Sequence, residues 1–405
     1  MKKRIGIVFI LAALGMFTVS CIKIPRKVIN LSIWGAENST ELYEEMAEEF
    51  SEMYAKEADI RITVCEESEG TCRETVLFSP ENAADVFTFA DDQLESLVSA
   101  GALMSLEEDR ALIEEDNGGK DSVAVQAASC KDGIYAYPMT ASNGYFLYYD
   151  SRYYSEDDVR TFDSLLKVAE GKGKKVSMDL TSGWYLYSFF KGAGMDVSVN
   201  DDGDTNTCDF NRTSGDIRGV DVAEAIGDIA ADPAFLCGNN DEVVAGVESG
   251  DIIAAVSGTW NEAVFQKAFG EGYSASKLPE FSVAGRNVQM HSVAGYKLAG
   301  VNAHSENPQW AKLLARFITN EENQMKRFER IGEGPSNVRA AASTKVKSSK
   351  AITALSQQME FAHLQRVAGS YWDPMYRFGI ALLSGKVSDD ELQELLDNTV
   401  EEIEN

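Results

Sequence analysis

Histidine is scarce and scattered in this chain: His291, His304 and His363 are the only three, and they stand far apart. No H-E-x-x-H, G-x-S-x-G, G-x-x-x-x-G-K-S/T or G-x-G-x-x-G run occurs. Those runs supply metal ligands, an elbow nucleophile, a phosphate cradle and a dinucleotide turn, so the commonest hydrolase and nucleotide-dependent readings fall away. Positive charge is also short, with 37 Lys and Arg against 65 Asp and Glu and a net charge of -28. Phosphate backbones and anionic membrane surfaces need basic clusters, which argues against both as partners and leaves a neutral ligand open. The chain has no internal repeat, low-complexity tract or coiled-coil heptad. Asp202, Asp204 and Asn206 alternate like the start of a calcium loop, but Thr207 stands where the Gly is needed and Thr213 where the final Glu is needed, so a solvated loop is expected.

What is present begins with an export signal. Lys2, Lys3 and Arg4 precede an apolar run over residues 5–19, then Ser20 and Cys21. This layout is too short for a membrane span and suits a cleaved signal over 1–20. The Cys after a small residue is similar to a lipobox, with Thr18 where Leu is more usual. Cys21 would then be lipidated and residues 21–27 would be a short tether. Five cysteines remain, in no zinc spacing, and an exported context permits disulfides. Cys65 with Cys72 and Cys208 with Cys237 are the candidate pairs, with Cys130 left as a buried thiol.

The length and the 44% hydrophobic content suit two domains with separate cores. Residues 84–106 (ADVFTFADDQLESLVSAGALMSL) organise the first. Val86, Phe87 and Phe89 make a short strand that stops at Asp91 and Asp92, whose carboxylates suit the start of a helix over 93–99 ending at Gly101. A strand that delivers carboxylates and a ring to its C-terminal edge is where open α/β sheets place a ligand. Before it come a strand over 28–33, a helix carrying Leu42, Met46, Phe50 and Tyr54, and a strand over 60–64, which together predict a parallel sheet. The chain is expected to cross to the second domain within 133–150 (GIYAYPMTASNGYFLYYD). There the pattern predicts helices over 161–171, 184–191 and 220–231, an irregular acidic loop over 199–210, and a strand over 252–256 ending in Ser257-Gly258-Thr259-Trp260. Further on, a strand over 296–301, a break at Glu333-Gly334-Pro335-Ser336, and helices over 308–320, 352–367, 371–383 and 389–403 are expected.

These pieces, in this order, are where a family resemblance appears. ADVFTFADDQLESLVSAGALMSL, DGIYAYPMTASNGYFLYYD, AAVSGTWNEAVF and LAGVNAHSENPQWAKLLARFITNEEN make the mature chain similar, over nearly its whole length, to the extracellular solute-binding proteins of ABC importers, in particular the maltose/maltodextrin-binding branch. The resemblance implies an α/β chain with the two-lobed periplasmic-binding-protein type II fold and a ligand cleft between the lobes. The first lobe would be 28–138 with 292–335, the second 139–291 with 336–405. It implies ligand-binding roles for Trp34 and Glu37 after the first strand, Phe89 and Asp92 after the third, Trp184 as an aromatic platform, Trp260 of the SGTW turn, and Trp372 opening the penultimate helix. Asn143, or its neighbour Ser142, falls near a position that is acidic in maltodextrin binders, a departure that leaves open whether maltose itself is the ligand. Tyr145, Tyr185 and Arg377 are weaker nominations, and Trp310 suits a helix face.

The physics of sugar recognition asks for the same residue types. Pyranose C–H faces stack on flat rings, and the hydroxyl equator needs carboxylates and amides in fixed directions. The expected function is a lipoprotein outside the cytoplasm that captures a carbohydrate, most simply an oligosaccharide. It would act as a monomer without cofactor or metal and deliver the sugar to permease subunits by hinge closure. The alternatives are a secreted glycoside-active enzyme, since acidic pairs and exposed rings serve that chemistry too, a binder of a non-sugar solute such as a polyol, or a surface scaffold.

Overall fold

The computed structural model describes residues 26–200, 205–385 and 388–405. The expected signal, Cys21, all but the end of the tether, and Asp202 to Asp204 of the calcium-like run lie outside the described residues. No described helix is long and apolar enough to cross a membrane.

The strand Val28–Gly35 alternates buried and open positions and sends Ile29, Leu31 and Ile33 into the first core. The helix Thr40–Met53 lays Leu42, Tyr43, Met46 and Phe50 against the same core at the spacing of one helix face. The first sheet therefore starts as expected, with Val28–Gly35 parallel to Asp59–Glu66 on one side and to Val86–Ala90 on the other. Ser292–Val301 then pairs antiparallel with Val86–Ala90 and with Ala136–Asn143. The second sheet runs Phe235–Cys237, Lys175–Met178, Ile252–Gly258, Tyr145–Asp150, Tyr273–Ser276. Every residue of Tyr145–Asp150 is buried, because its two faces supply two clusters: Tyr145, Leu147 and Tyr149 on one, Phe146 and Tyr148 on the other. The protein is thus a two-lobed α/β molecule with a separate core in each lobe.

A single residue, Gly144, separates the last strand position of the first sheet from the first of the second. A Cβ there would stand 2.9 Å from Leu355 Cδ1 and 3.2 Å from the Val293 carbonyl oxygen, so a larger residue would push on both and glycine suits the close approach of these segments. Three expectations change. The helix expected over 352–367 ends at Gln358, whose buried amide accepts from Leu278 N–H at 2.9 Å and donates to the Met290 carbonyl at 3.3 Å. Ala362–Leu364 instead forms a strand parallel to Ser292–Ala294 at the edge of the first sheet. The loop expected over 199–210 holds a hairpin, Val197–Val199 against Asn206–Cys208. Neither candidate disulfide exists, and all five cysteines are free. Cys208 is buried in that hairpin, its N–H bonded to Glu404, while Cys237 is on the edge strand Phe235–Cys237 of the separate second sheet. Burial pushes the Cys208 thiol up to about 12, and it stays protonated.

His291 and His363 meet where the chain passes between lobes. His291 Nδ1 and His363 Nε2 are 2.8 Å apart, one ring donating to the other, with rings stacked at 16°. Desolvation, then His363 and Lys191, pushes His291 down to about 4. Desolvation and Lys191 also lower His363, against the pull of Asp196. Between these values and the ordinary 6.5 the unfolded chain binds protons that the folded pair refuses, so stability rises with pH through that window and falls on acidification. Both rings are partly open to solvent, which screens the effect to about 1 kcal/mol. Urea midpoints at pH 4.5 and 6.5 should show it, and the slope should flatten in the double variant His291→Asn, His363→Asn.

Candidate functional site

Gly258 ends the central strand of the second sheet, and Trp260 folds back over it: a Cβ on Gly258 would lie 1.9 Å from the indole Cζ3. The exposed ring, 47% open, is held further by its Nε1, which donates to Asn240 Oδ1 at 3.3 Å. Asn240 is fixed in turn by Asn261 Nδ2 at 2.7 Å. Facing Trp260 is Trp184, at the start of the helix Gly183–Gly192, with ring centroids 5.8 Å apart and planes tilted by 41°. Tyr145 and Tyr185 pack on Trp184 at 4.6 and 5.2 Å, and the buried Tyr145 hydroxyl donates to the Trp184 carbonyl at 2.8 Å. The two indoles stand over a cavity of about 530 Å³, whose polar wall is Asn143, Asp179, Asn240 and Gln365.

The first lobe answers with Asp91 and Asp92. Neither caps the following helix with its side chain. Asp91 is buried and accepts from Tyr296 N–H at 2.7 Å and Arg366 Nη1 at 3.0 Å. Its desolvation outweighs Arg366 and lifts the carboxyl to about 6. Asp92 reaches solvent and accepts from Gln365 Nε2 at 3.1 Å. Partial desolvation raises its carboxyl as well, against Arg366. Both carboxylates line a second cavity, of about 420 Å³, that shares Gln365 with the first.

Of the expected site residues, Trp184, Trp260 and Asn143 come together around the first cavity, and Asp92 stands across Gln365 from them. Trp372 is half-buried on the second core and shares a void of about 20 Å³ with Trp184 and Gln365. Trp34 packs on the first core and Glu37 is exposed in a short turn; neither lines these cavities. Phe89 is a correction. Its side chain is fully buried beside Phe87, with ring centroids 5.8 Å apart, because the strand Val86–Ala90 is covered on both faces. Ser142 is buried, and Arg377 pairs with Glu402 on the surface. Trp310 packs edge-on against Tyr54, a helix-face residue.

Asp179 was legible by the rule that picks out Asp91 and Asp92, since it directly follows a parallel strand, Lys175–Met178. Asn240 and Gln365 carry no such signal. No group of three or more His, Cys, Asp or Glu that could hold a metal ion occurs among the described residues. A groove of about 670 Å³ beside Tyr137 and Arg339 is lined by paired charges, Arg339 with Asp116 and Glu321.

Residues 45–354 match the family described as "Bacterial extracellular solute-binding protein". The chain is 26% identical over 367 residues to the galactooligosaccharide-binding protein of Bacillus subtilis (strain 168), covering 87% of this chain and 83% of that one. Among solved structures, the maltodextrin-binding protein MalE1 of L. casei BL23, solved without ligand, superposes with a TM-score of 0.80 at 23% identity, covering 93% of this chain and 99% of that one. A structure solved with acarbose gives 0.79 at 27% identity, covering 93% and 98%.

Proposed function

Because the chain belongs to the bacterial extracellular solute-binding proteins, we propose that it captures a neutral oligosaccharide outside the cell and delivers it to the permease of an ABC importer. The observation that carries this reading is the Trp184–Trp260 pair, tilted over a cavity edged by amide and carboxylate groups. Rings accept the C–H faces of pyranoses, while Asn143, Asp179, Asn240 and Asp92 present the directional partners that hydroxyls need. Trp372, behind Trp184, is a further contact in this reading, and Trp34 and Glu37 would approach the sugar only when the lobes close. The relatives bind galactooligosaccharide and maltodextrin by name, and both support the ligand class.

The protein is a binding protein for transport and not an enzyme, as its family is. The mechanism we propose is hinge closure. The expected boundary at 138 moves, because the strand Ala136–Asn143 lies in the first sheet: the jaws are 28–143 with 292–335 and 145–291 with 336–405, the strand Ala362–Leu364 being an excursion of the second jaw's chain onto the first sheet. The sugar stabilises the closed arrangement, and that arrangement docks on the permease. A lipid on Cys21 would hold the protein at the membrane.

Isothermal titration from residue 27 onward against neutral mono- and oligosaccharides, with intrinsic Trp emission read in parallel, tests the reading. One-to-one saturation with a shifted emission is expected. Silence toward every sugar, with a signal for a polyol or peptide, would discard the ligand class and keep the fold.

A further inference from the structure

The segment after the edge strand Ala362–Leu364 is fastened on both sides of the cleft. Its backbone is tied to the second lobe: the Arg366 carbonyl accepts from Val199 N–H at 2.8 Å, and Ala368 N–H donates to Asn206 Oδ1 at 2.7 Å. Its side chains reach the first lobe. Gln365 Nε2 donates to Asp92 Oδ2, and Arg366 Nη1 donates both to Asp91 Oδ2 and to the carbonyl of Gln365 itself, each at 3.0 Å. Gln365 also lines the cavity beneath the two indoles and the one beside the carboxylates. The bond to Asp92 uses one amide hydrogen out of the donor and acceptor positions a glutamine offers. Its amide therefore stands between the ring platform and the acidic wall, with hydrogen-bonding capacity left to spend.

We infer that Gln365 is a ligand-contacting residue that sets selectivity among oligosaccharides, presenting its amide to a sugar hydroxyl alongside Asp92, and that Arg366 is a positioning residue that holds it there through Asp91. The inference rests on the carbohydrate reading above. A hydroxyl between Asp92 and the Gln365 amide meets an acceptor and a two-way partner at once. That arrangement rewards one hydroxyl orientation and leaves polar groups unpaired for its epimer.

Titration of the wild type, Gln365→Ala, Gln365→Glu and Arg366→Met with maltotriose and with a galactooligosaccharide tests this, each variant's melting curve serving as the folding control. Gln365→Ala should weaken the preferred sugar about tenfold and change the ratio of the two affinities, by the loss of one good hydrogen bond to a polar ligand. Arg366→Met should weaken both sugars by a similar factor and leave their ratio alone. Gln365→Glu sets a second carboxyl against Asp92, and two such groups resist ionising together. Its affinity should therefore fall from pH 5 to pH 8 several-fold more than that of the wild type, in which Asp91, lifted to about 6, and Asp92, also raised, face the same cavity; this near-isosteric variant carries the test if the alanine variant does not fold. Wild-type affinities and ratio in Gln365→Ala, or a pH profile in Gln365→Glu no steeper than the wild type's, would reduce Gln365 to a strut and overturn the inference alone. A wild type that binds neither these nor any other neutral sugar would overturn the carbohydrate reading and this inference with it.

Discussion

Glu333→Ala should destabilise the protein by about 3–5 kcal/mol, the cost expected when one partner of a buried ion network is removed. Glu333 bridges two cations, Lys297 Nζ at 2.5 Å and Arg327 Nη1 at 3.2 Å, and Lys297 is shared with Glu69 at 2.7 Å. Arg327 is 0% exposed, lies over the Tyr43 ring at 4.9 Å and donates to Ser39 Oγ at 3.1 Å, while its Nε and Nη2 have no partner among the described residues. Burial alone would raise the Glu333 carboxyl; Lys297 and Arg327 together hold it below the usual carboxylate range. Without it, the buried Arg327 and the part-buried Lys297 face one carboxylate. The damage should reach the crossing between lobes, because Gly334, next in the chain, accepts from Ala141 N–H at 2.9 Å. Urea unfolding measures the loss as a fallen midpoint. A change below about 1 kcal/mol would mean the network contributes no more than an exposed pair.

The second large effect concerns binding. Trp260→Ala should weaken oligosaccharide affinity by about 2 kcal/mol, roughly 30-fold, as for a central aromatic at an interface. Its stability cost should be small, because the ring is half-exposed and packs mainly on Gly258 and Trp184. Trp184→Ala should cost affinity and also stability, since Tyr145 and Tyr185 lean on that ring. Gly258→Ala separates the ring's position from its presence. The added methyl would displace the indole, so the loss should approach that of Trp260→Ala although every aromatic group remains. Calorimetric titration against one sugar, with melting curves as controls, distinguishes the three. Unchanged affinity in Trp260→Ala would remove the platform from the site.

Where one periodicity ran through a whole segment, the fold was legible in the residues. Val28–Gly35 alternates, Thr40–Met53 repeats every three or four positions, and both formed as expected. Trp260 was expected beyond the strand ending in Ser257-Gly258-Thr259-Trp260, and it follows that strand, whereas Trp184 was nominated by the family resemblance alone. The failures share a cause: a long-range partner decided the outcome. The helical pattern over 352–367 gives no hint that an open edge of Ser292–Val301 would take Ala362–Leu364 as a strand. That misreading hid Gln365 and Arg366. Phe89 looked like a ligand residue because it sits at a strand end, and only the covering of both faces buries it. His291 and His363 are far apart in sequence, so their contact had no local trace.

The threading of the two cores also dictates an order of assembly. The first core combines residues from Ile29 to Met139 with others from Ala294 to Ile318, and the second waits for Tyr371 to Ile403. The strand Ser292–Val301 lies between Val86–Ala90 and Ala136–Asn143, so those two strands have no partner between them until all of 145–290 has emerged. Such late, distant pairings are slow to form, and their open edges invite wrong partners in the meantime. This chain withholds the strand that closes its oldest core until late in its synthesis.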